Sequence, residues 1–377
     1  MAGQLSAPPI DLDSSVRSKF TVKDSFHLPD GEMEFSIVYR PDSKERFVEL
    51  SQEFAASGFT PRLVGGKENA LLFVRKTQTV GRQRSRVPVI LALLALGSVV
   101  VFGLYSGFVV YPMYAPSIPG GVVILLYGAV VIAVLAAHEL GHTYFSRRKD
   151  ETPPAPYLLP GVLGVTMALP TLGIISRQRG PAVNRDRFFD VMLAGPLLGL
   201  AVSMALYVLG AVVAVQSAVP LQSCQQVNGT AVLCPSVIQL GLDAVIGPFL
   251  PHVASGYSAL SPLADGATVG LILTFVGLLP MASFDGGHLS SLAWGPGASR
   301  IATYLSVILL ISVDPPTYWA LAVVVLLLMS SSRNSEPQLL DEVSPVSVTR
   351  RWLYLGAVVL ALLCMPLPQT IAGFPLR

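Results

Sequence analysis

Charge is what this sequence has least of. Asp, Glu, Lys and Arg make up 13% of its 377 residues, while 52% are hydrophobic. A soluble globular domain carries about a quarter charged residues, so the shortage excludes a wholly water-soluble chain and points to a protein embedded in a lipid bilayer. The net charge of +2 comes without any basic run interleaved with aromatics, which excludes a nucleic-acid partner. The first 30 positions mix charges and polar groups and lack an apolar core, so no signal peptide is expected there. Cysteine is scarce as well: of three, Cys224 and Cys234 share one loop and Cys364 stands alone in a late apolar segment. Only the first two suggest a pair.

The few charges are unevenly placed. Residues 1–85 are soluble in composition. Met33–Arg40 alternates as a strand. Pro41-Asp42-Ser43 opens a helix over Lys44–Ser57, apolar at Phe47, Val48, Leu50 and Phe54, and Gly58 stops it. Thr60–Val64 and Ala70–Arg75 flank Gly65-Gly66 and read as a hairpin. The expected result is a small β-α-β-β unit of α+β type without a catalytic constellation. Regulation, substrate recruitment and a structural appendage are equally open roles for it.

Apolar segments follow at Val87–Val110, Gly121–Phe145, Val191–Val215, Gly266–Met281, Ser299–Val313, Thr317–Ser331 and Trp352–Met365. Several fall below the ~20 residues of a usual span. Tyr111–Gly120 reads as a proline-rich turn, and Ser236–Leu250 as an interfacial helix. The fold class expected is a polytopic α-helical membrane protein of about 7 spans behind a soluble N-terminal domain. Its divisions are 1–85 (soluble), 86–120 (first span and turn), 121–290 (core) and 291–377 (C-terminal spans).

Lys and Arg cluster at 75–86, 147–149, 177–187 and 350–351, and in this topology all but Arg377 lie on the side of the N-terminal domain. Basic residues accumulate in cytoplasmic loops, so the N-terminus is expected inside, most simply at the cell membrane. Gln216–Asp265, without a Lys or Arg, is then outside, where a Cys224–Cys234 disulfide is expected.

One apolar segment carries ionisable groups. Ala136-Ala137-His138-Glu139-Leu140-Gly141-His142 contains H-E-x-x-H. Residues four apart share a helix face, so His138 and His142 can present two imidazoles to one metal ion, with Glu139 placed to take a proton from a water. This is the zincin spacing. Lone histidines in apolar helices are more often satisfied core groups, but charge at membrane depth is costly and by default marks function. Counted back from Arg147 at ~1.5 Å per residue, His142 and His138 lie about 7 and 13 Å in from the cytoplasmic end.

A zinc site needs a third protein ligand and an open position. Asp190 begins a span, Asp243 and Asp265 fall outside, and Asp314 sits in a turn. Asp285, in Leu279-Pro280-Met281-Ala282-Ser283-Phe284-Asp285-Gly286-Gly287-His288, is the natural third ligand. Pro280 and the glycine pair break the helix there, and breaks in membranes are tolerated where they line a cavity. His288 competes for the role from further along the break.

These residues resemble the site-2 protease family of intramembrane zinc metalloproteases. His-Glu-Leu-Gly-His on one span and Asp285-Gly286-Gly287-His288-Leu289 on a later one carry the resemblance. Ser176–Leu200 adds to it, with Asn184-Arg185, Phe188-Phe189-Asp190 and Ala194-Gly195-Pro196-Leu197-Leu198-Gly199 following prokaryotic and plastid members. The resemblance covers roughly residues 120–290. It implies zinc as cofactor, Glu139 as general base, and a membrane-protein substrate cut in or beside a transmembrane helix. It also implies a membrane-dipping β segment after the motif helix. Pro160–Arg177 fits by composition, with Val162, Val165, Met167, Leu169 and Leu172 among Gly161, Gly164 and Gly173. A strand edge there would bind substrate backbone by β-augmentation; an ordinary re-entrant loop is the other reading. The family often has Asn-x-x-Pro before its aspartate, and here Gly277 holds the asparagine position.

Three rivals remain on the page. A CaaX-type protease takes its third ligand from a later glutamate, and no later span contains one. A zinc or proton transporter needs polar groups across the whole bilayer, and the outer halves of these spans hold no such ladder. The third, a catalytically inactive homologue, follows from Gly277. The oligomeric state leaves no mark in the sequence.

Overall fold

The computed structural model describes residues 11–29, 31–77, 85–163, 166, 169–218, 235–249, 259–313, 315–331 and 337–367. Cys224, Cys234, Gly164, Val165, Met167 and Asp314 lie outside the described residues. The chain divides into two compact units.

The first unit begins with α1 (Leu12–Lys19), capped by the Asp11 side chain, and continues through β1 (Val22–His27), β2 (Met33–Ile37), α2 (Ser43–Ala56), β3 (Phe59–Gly65) and β4 (Ala70–Lys76). The four strands form one antiparallel sheet in the order β1-β2-β4-β3. The expected β-α-β-β unit therefore gains a helix and an edge strand in front. β1 has only its first residue half-buried, so it lacks the alternation that identifies β2. Val16, Phe20, Phe35, Phe47, Leu50, Phe54, Leu63 and Leu72 make the core. Two distant stretches, 180–189 and 337–348, fold into the same unit. Leu63 N–H donates to Leu340, Glu342 N–H returns to Leu63, and Leu340 N–H donates to Ala182. Lys44 pairs with Asp186 at 2.5 Å, and Arg185 donates to the carbonyls of Glu342 and Ser344.

The second unit is mostly helical. α3 (Val87–Tyr105) runs through a π-helical turn (Ser106–Val110) into α4 (Tyr111–Tyr114). The proline-rich turn expected at Tyr111–Gly120 is thus shorter, because Pro112 sits in the first turn of α4, where no N–H is needed. α5 (Gly120–Arg148) carries the histidine motif. It ends where Arg147 and Arg148 meet the negative end of the helix dipole and Asp150 turns left-handed at φ 56. Then come β5 (Ala155–Pro160) and β6 (Thr171–Arg177), an antiparallel hairpin, and α6 (Arg185–Val212), which starts six residues ahead of the expected span. Asn184 accounts for the early start: its Oδ1 accepts the Arg187 N–H at 2.9 Å, as an N-cap does.

After α6, β7 (Val215–Gln216) pairs with β8 (Ala259–Leu260) around α7 (Val237–Ile246), which opens on a Ser236/Gln239 capping box. α8 (Pro262–Leu278), α9 (Asp285–Trp294), α10 (Pro296–Val313), α11 (Pro315–Ser331) and α12 (Val348–Cys364) complete the chain. Among the described residues, four helices are long and apolar enough to cross a membrane: Val87–Tyr114, Gly120–Arg148, Arg185–Val212 and Pro296–Val313. Leu93, Phe108, Leu125, Leu140, Leu305 and Ile308 stand exposed on them, as side chains facing lipid would.

In the first unit, Asp341 is fully buried, and its Oδ1 accepts the N–H groups of Val343 and Ser344 at 3.1 and 2.9 Å. Burial still holds its pKa above the ordinary 3.8, outweighing those bonds. The folded chain therefore binds this proton more tightly than the unfolded one. The associated stability is complete below pH 3.8 and is lost as pH rises through the raised folded-state value. Asp341→Asn keeps the acceptor oxygen and is expected to flatten that decline, read by urea unfolding of the unit at successive pH values from 3.8 to neutrality.

Candidate metal centre

α5 brings His138 and His142 onto one face, and the first turn of α9 brings Asp285 to them. Asp285 Oδ2 lies 3.0 Å from His138 Nε2 and 3.4 Å from His142 Nε2, and the two Nε2 atoms are 3.1 Å apart. All three potential ligand atoms fall within 4.8 Å of one another. His142 and Asp285 are each 1% exposed; His138 is half-buried.

Hydrogen bonding settles which nitrogen of His142 is free. Its Nδ1 lies 2.8 Å from the carbonyl of Val191. A carbonyl only accepts, so Nδ1 carries the proton and Nε2 presents its lone pair to the cluster. A ligand histidine is commonly oriented in this way. Asp285 Oδ1 and Glu139 Oε1 are buried without a hydrogen-bond partner among the described residues. Buried polar atoms are normally paired. Two imidazoles, a carboxylate oxygen and an orphan oxygen converging in an apolar interior fit a divalent cation, and nitrogen with carboxylate oxygen suits zinc.

The approach of α9 depends on a broken helix. α8 ends at Leu278, Met281 N–H donates to Leu279 and Phe284 N–H to Met281, and Ser283 is held at φ 71. A serine in the left-handed region is strained, and such strain collects at functional sites. Phe284 then starts α9, which leaves Asp285 at the positive end of the helix dipole. His288 points elsewhere: its Nε2 donates to the Ser176 carbonyl of β6 at 2.9 Å. It ties the hairpin to α9 rather than joining the cluster. β6 approaches α9 closely at Gly173, whose φ of +118 suits glycine and whose added Cβ would meet Phe284 at 3.0 Å.

Gly195 on α6 is a site residue that the motif spacing did not single out. A Cβ there would collide with the His142 ring, and a Cβ on Gly199 would come within 3.4 Å of that of His138. Both glycines stand in Ala194–Gly199, so the signal was present as a motif, but its reason is close approach of α6 to the two imidazoles. Gly277 has no atom within 4 Å of an added Cβ. It borders a cavity of about 10 Å³ with His138, Gly199 and Thr274, roughly the room one water centre needs.

Residues 127–313 match peptidase family M50. The probable zinc metalloprotease EGY1, chloroplastic, of Arabidopsis thaliana is 27% identical over 261 residues, which are 68% of this chain and 44% of that protein. Its counterpart EGY2, chloroplastic, from the same plant is 26% identical over 256 residues, 66% of this chain and 43% of that one. An EGY1 protein of Oryza sativa subsp. japonica is 27% identical over 241 residues, covering 62% and 39%. The chain thus spans less than half the length of these curated relatives. No solved structure matches it.

Gly195→Ala is expected to displace the His142 ring and lower zinc bound per molecule several-fold in metal analysis of purified protein. Gly97→Ala, at a position where an added Cβ meets nothing within 4 Å, serves as the control and is expected to leave it unchanged.

Proposed function

We propose that residues 127–313, the part of this chain that matches peptidase family M50, form an intramembrane zinc metalloprotease that hydrolyses peptide bonds in or beside transmembrane segments of membrane proteins. The observation that carries the reading is the convergence of His138, His142 and Asp285 within 4.8 Å, with Asp285 Oδ1 buried and without a hydrogen-bond partner among the described residues.

His138, His142 and Asp285 would hold the zinc. When bound, zinc supplies the Lewis acidity that polarises a scissile carbonyl and acidifies a water. Glu139, with a buried unpaired oxygen one residue from His138, takes the proton from the attacking water and delivers it to the leaving amine. His142 is kept in its ligating tautomer by Val191. The apolar walls of α5, α6 and α8 restrict water to what the site needs, and the substrate must be unwound locally, since a helical peptide bond is shielded by its own hydrogen bonds.

The protein is read as integral to the membrane. Taking the shorter apolar helices Pro262–Leu278 and Tyr318–Ser330 and the helix Val348–Cys364 as spans beside the four long ones, and Val237–Ile246 as interfacial, gives a reading of seven spans. The distribution of Lys and Arg supports an N-terminus in the cytoplasm and, most simply, a place in the cell membrane. The β5–β6 hairpin, with β6 buried up to Ser176, supports a β segment dipping into the bilayer. The partners are then the bilayer and a membrane protein with a transmembrane helix.

Glu139→Gln is expected to keep its zinc and lose cleavage of a transmembrane model substrate by about 10²–10⁴-fold; near wild-type turnover would remove Glu139 as the base. Zinc content is expected to fall sharply in Asp285→Ala and to stay near one per molecule in His288→Ala, and the opposite pattern would transfer the ligand role to His288.

A further inference from the structure

The C-terminal helix α12 lies beyond residues 127–313, yet two of its side chains end against the surroundings of the metal centre. Tyr354 is fully buried and its hydroxyl donates to the carbonyl of Gly286, the residue after Asp285, at 2.8 Å. Its ring packs on Trp294, the last residue of α9, with centroids 4.9 Å apart. One tyrosine therefore touches α9 at both its first and its last turn. One turn earlier on the same face of α12, Arg350 forks onto Asp190: Nε to Oδ1 and a terminal nitrogen to Oδ2 are both 2.8 Å. Asp190 precedes Val191, whose carbonyl fixes the tautomer of His142. Lys149, just past the end of α5, reaches the same carboxylate at 3.1 Å.

Resting on the zinc-site reading above, we infer that α12 is a brace for that site, with Tyr354 and Arg350 as positioning residues that orient Asp285 through the Gly286 carbonyl and His142 through Asp190 and Val191. Packing alone does not account for these contacts. Ala357 and Ala361 continue the buried face of α12 and anchor it without polar atoms, and at position 354 a phenylalanine would fill nearly the same volume. The hydroxyl adds a directed bond to the peptide group beside a ligand, and the guanidinium adds a planar, two-point grip on the carboxylate. Groups that orient metal ligands from outside commonly change metal affinity or activity by about 10–100-fold when removed.

The test measures zinc affinity of the full-length protein in detergent by chelator competition, and the absorption spectrum of the Co²⁺-substituted protein. Tyr354→Phe removes one oxygen and is expected to weaken zinc binding by about 10-fold or more and to alter the Co²⁺ bands. Arg350→Ala is expected to do the same, with partial recovery in Arg350→Lys, which restores the charge but not the fork. Trp352→Ala, on the exposed side of α12 (69% exposed), is expected to match wild type. Wild type that binds zinc while Tyr354→Phe and Arg350→Ala bind it equally tightly, with unchanged Co²⁺ spectra, would overturn the brace whatever their melting temperatures. Wild type that binds no zinc would overturn the metal-site reading and the brace together.

Discussion

The structure depends on a single electrostatic constraint: a carboxylate, Asp285, buried to 1% exposure in an apolar interior, with two imidazole nitrogens 3.0 and 3.4 Å from one of its oxygens. Removing an ion from water without compensation costs several kcal/mol. The Val191 carbonyl accepts from Nδ1 of His142, which turns the Nε2 of that ring towards the Asp285 carboxylate. The three groups are placed so that they could hold a metal ion between them.

The backbone around the cluster is shaped to let these groups meet. α6 and α5 come close where Gly195 faces the His142 ring and Gly141 faces the Ala194 carbonyl, and an added Cβ at either position would collide. α8 stops at Leu278, and a turn with a left-handed serine redirects the chain so that Asp285 opens a new helix instead of ending an old one. Gly286 and Gly287 pass against the carbonyls of Leu278, Leu279 and Met281, where a Cβ would overlap. A continuous helix would have aimed the carboxylate wherever its 100° per residue dictated; a broken one is aimed by the turn.

The hairpin β5–β6 and α9 are linked at Gly173–Phe284 and at Ser176–His288. β6, the buried strand of the hairpin, is therefore joined to the helix that presents Asp285. His288 has its place in this link, which accounts for a histidine three residues from Asp285 pointing at Ser176 instead of at the other two imidazoles.

Much of this was legible in the residues. The scarcity of charge marked the apolar helices, H-E-x-x-H placed two imidazoles on one helix face because helical spacing is a local property, and Asp285 stood out as a carboxylate beside a helix break. Alternation identified β2, and the Gly65-Gly66 turn between two short apolar runs identified β3 and β4, both local signals. What the sequence left open depends on contacts between residues far apart in number. β1 stayed invisible because its side chains are exposed and do not alternate. Residues 337–348 pair with β3 from nearly 280 positions away, and nothing in their composition announces it. The choice between Asp285 and His288 turned on direction: the fold points His288 at a carbonyl of β6 and Asp285 at the histidines. The roles of Gly195, Arg350 and Tyr354 likewise arise only once α6 and α12 pack beside the site. Spacing along one helix determines what a segment is able to offer, whereas the meeting of different helices is decided by close packing, which no single segment encodes.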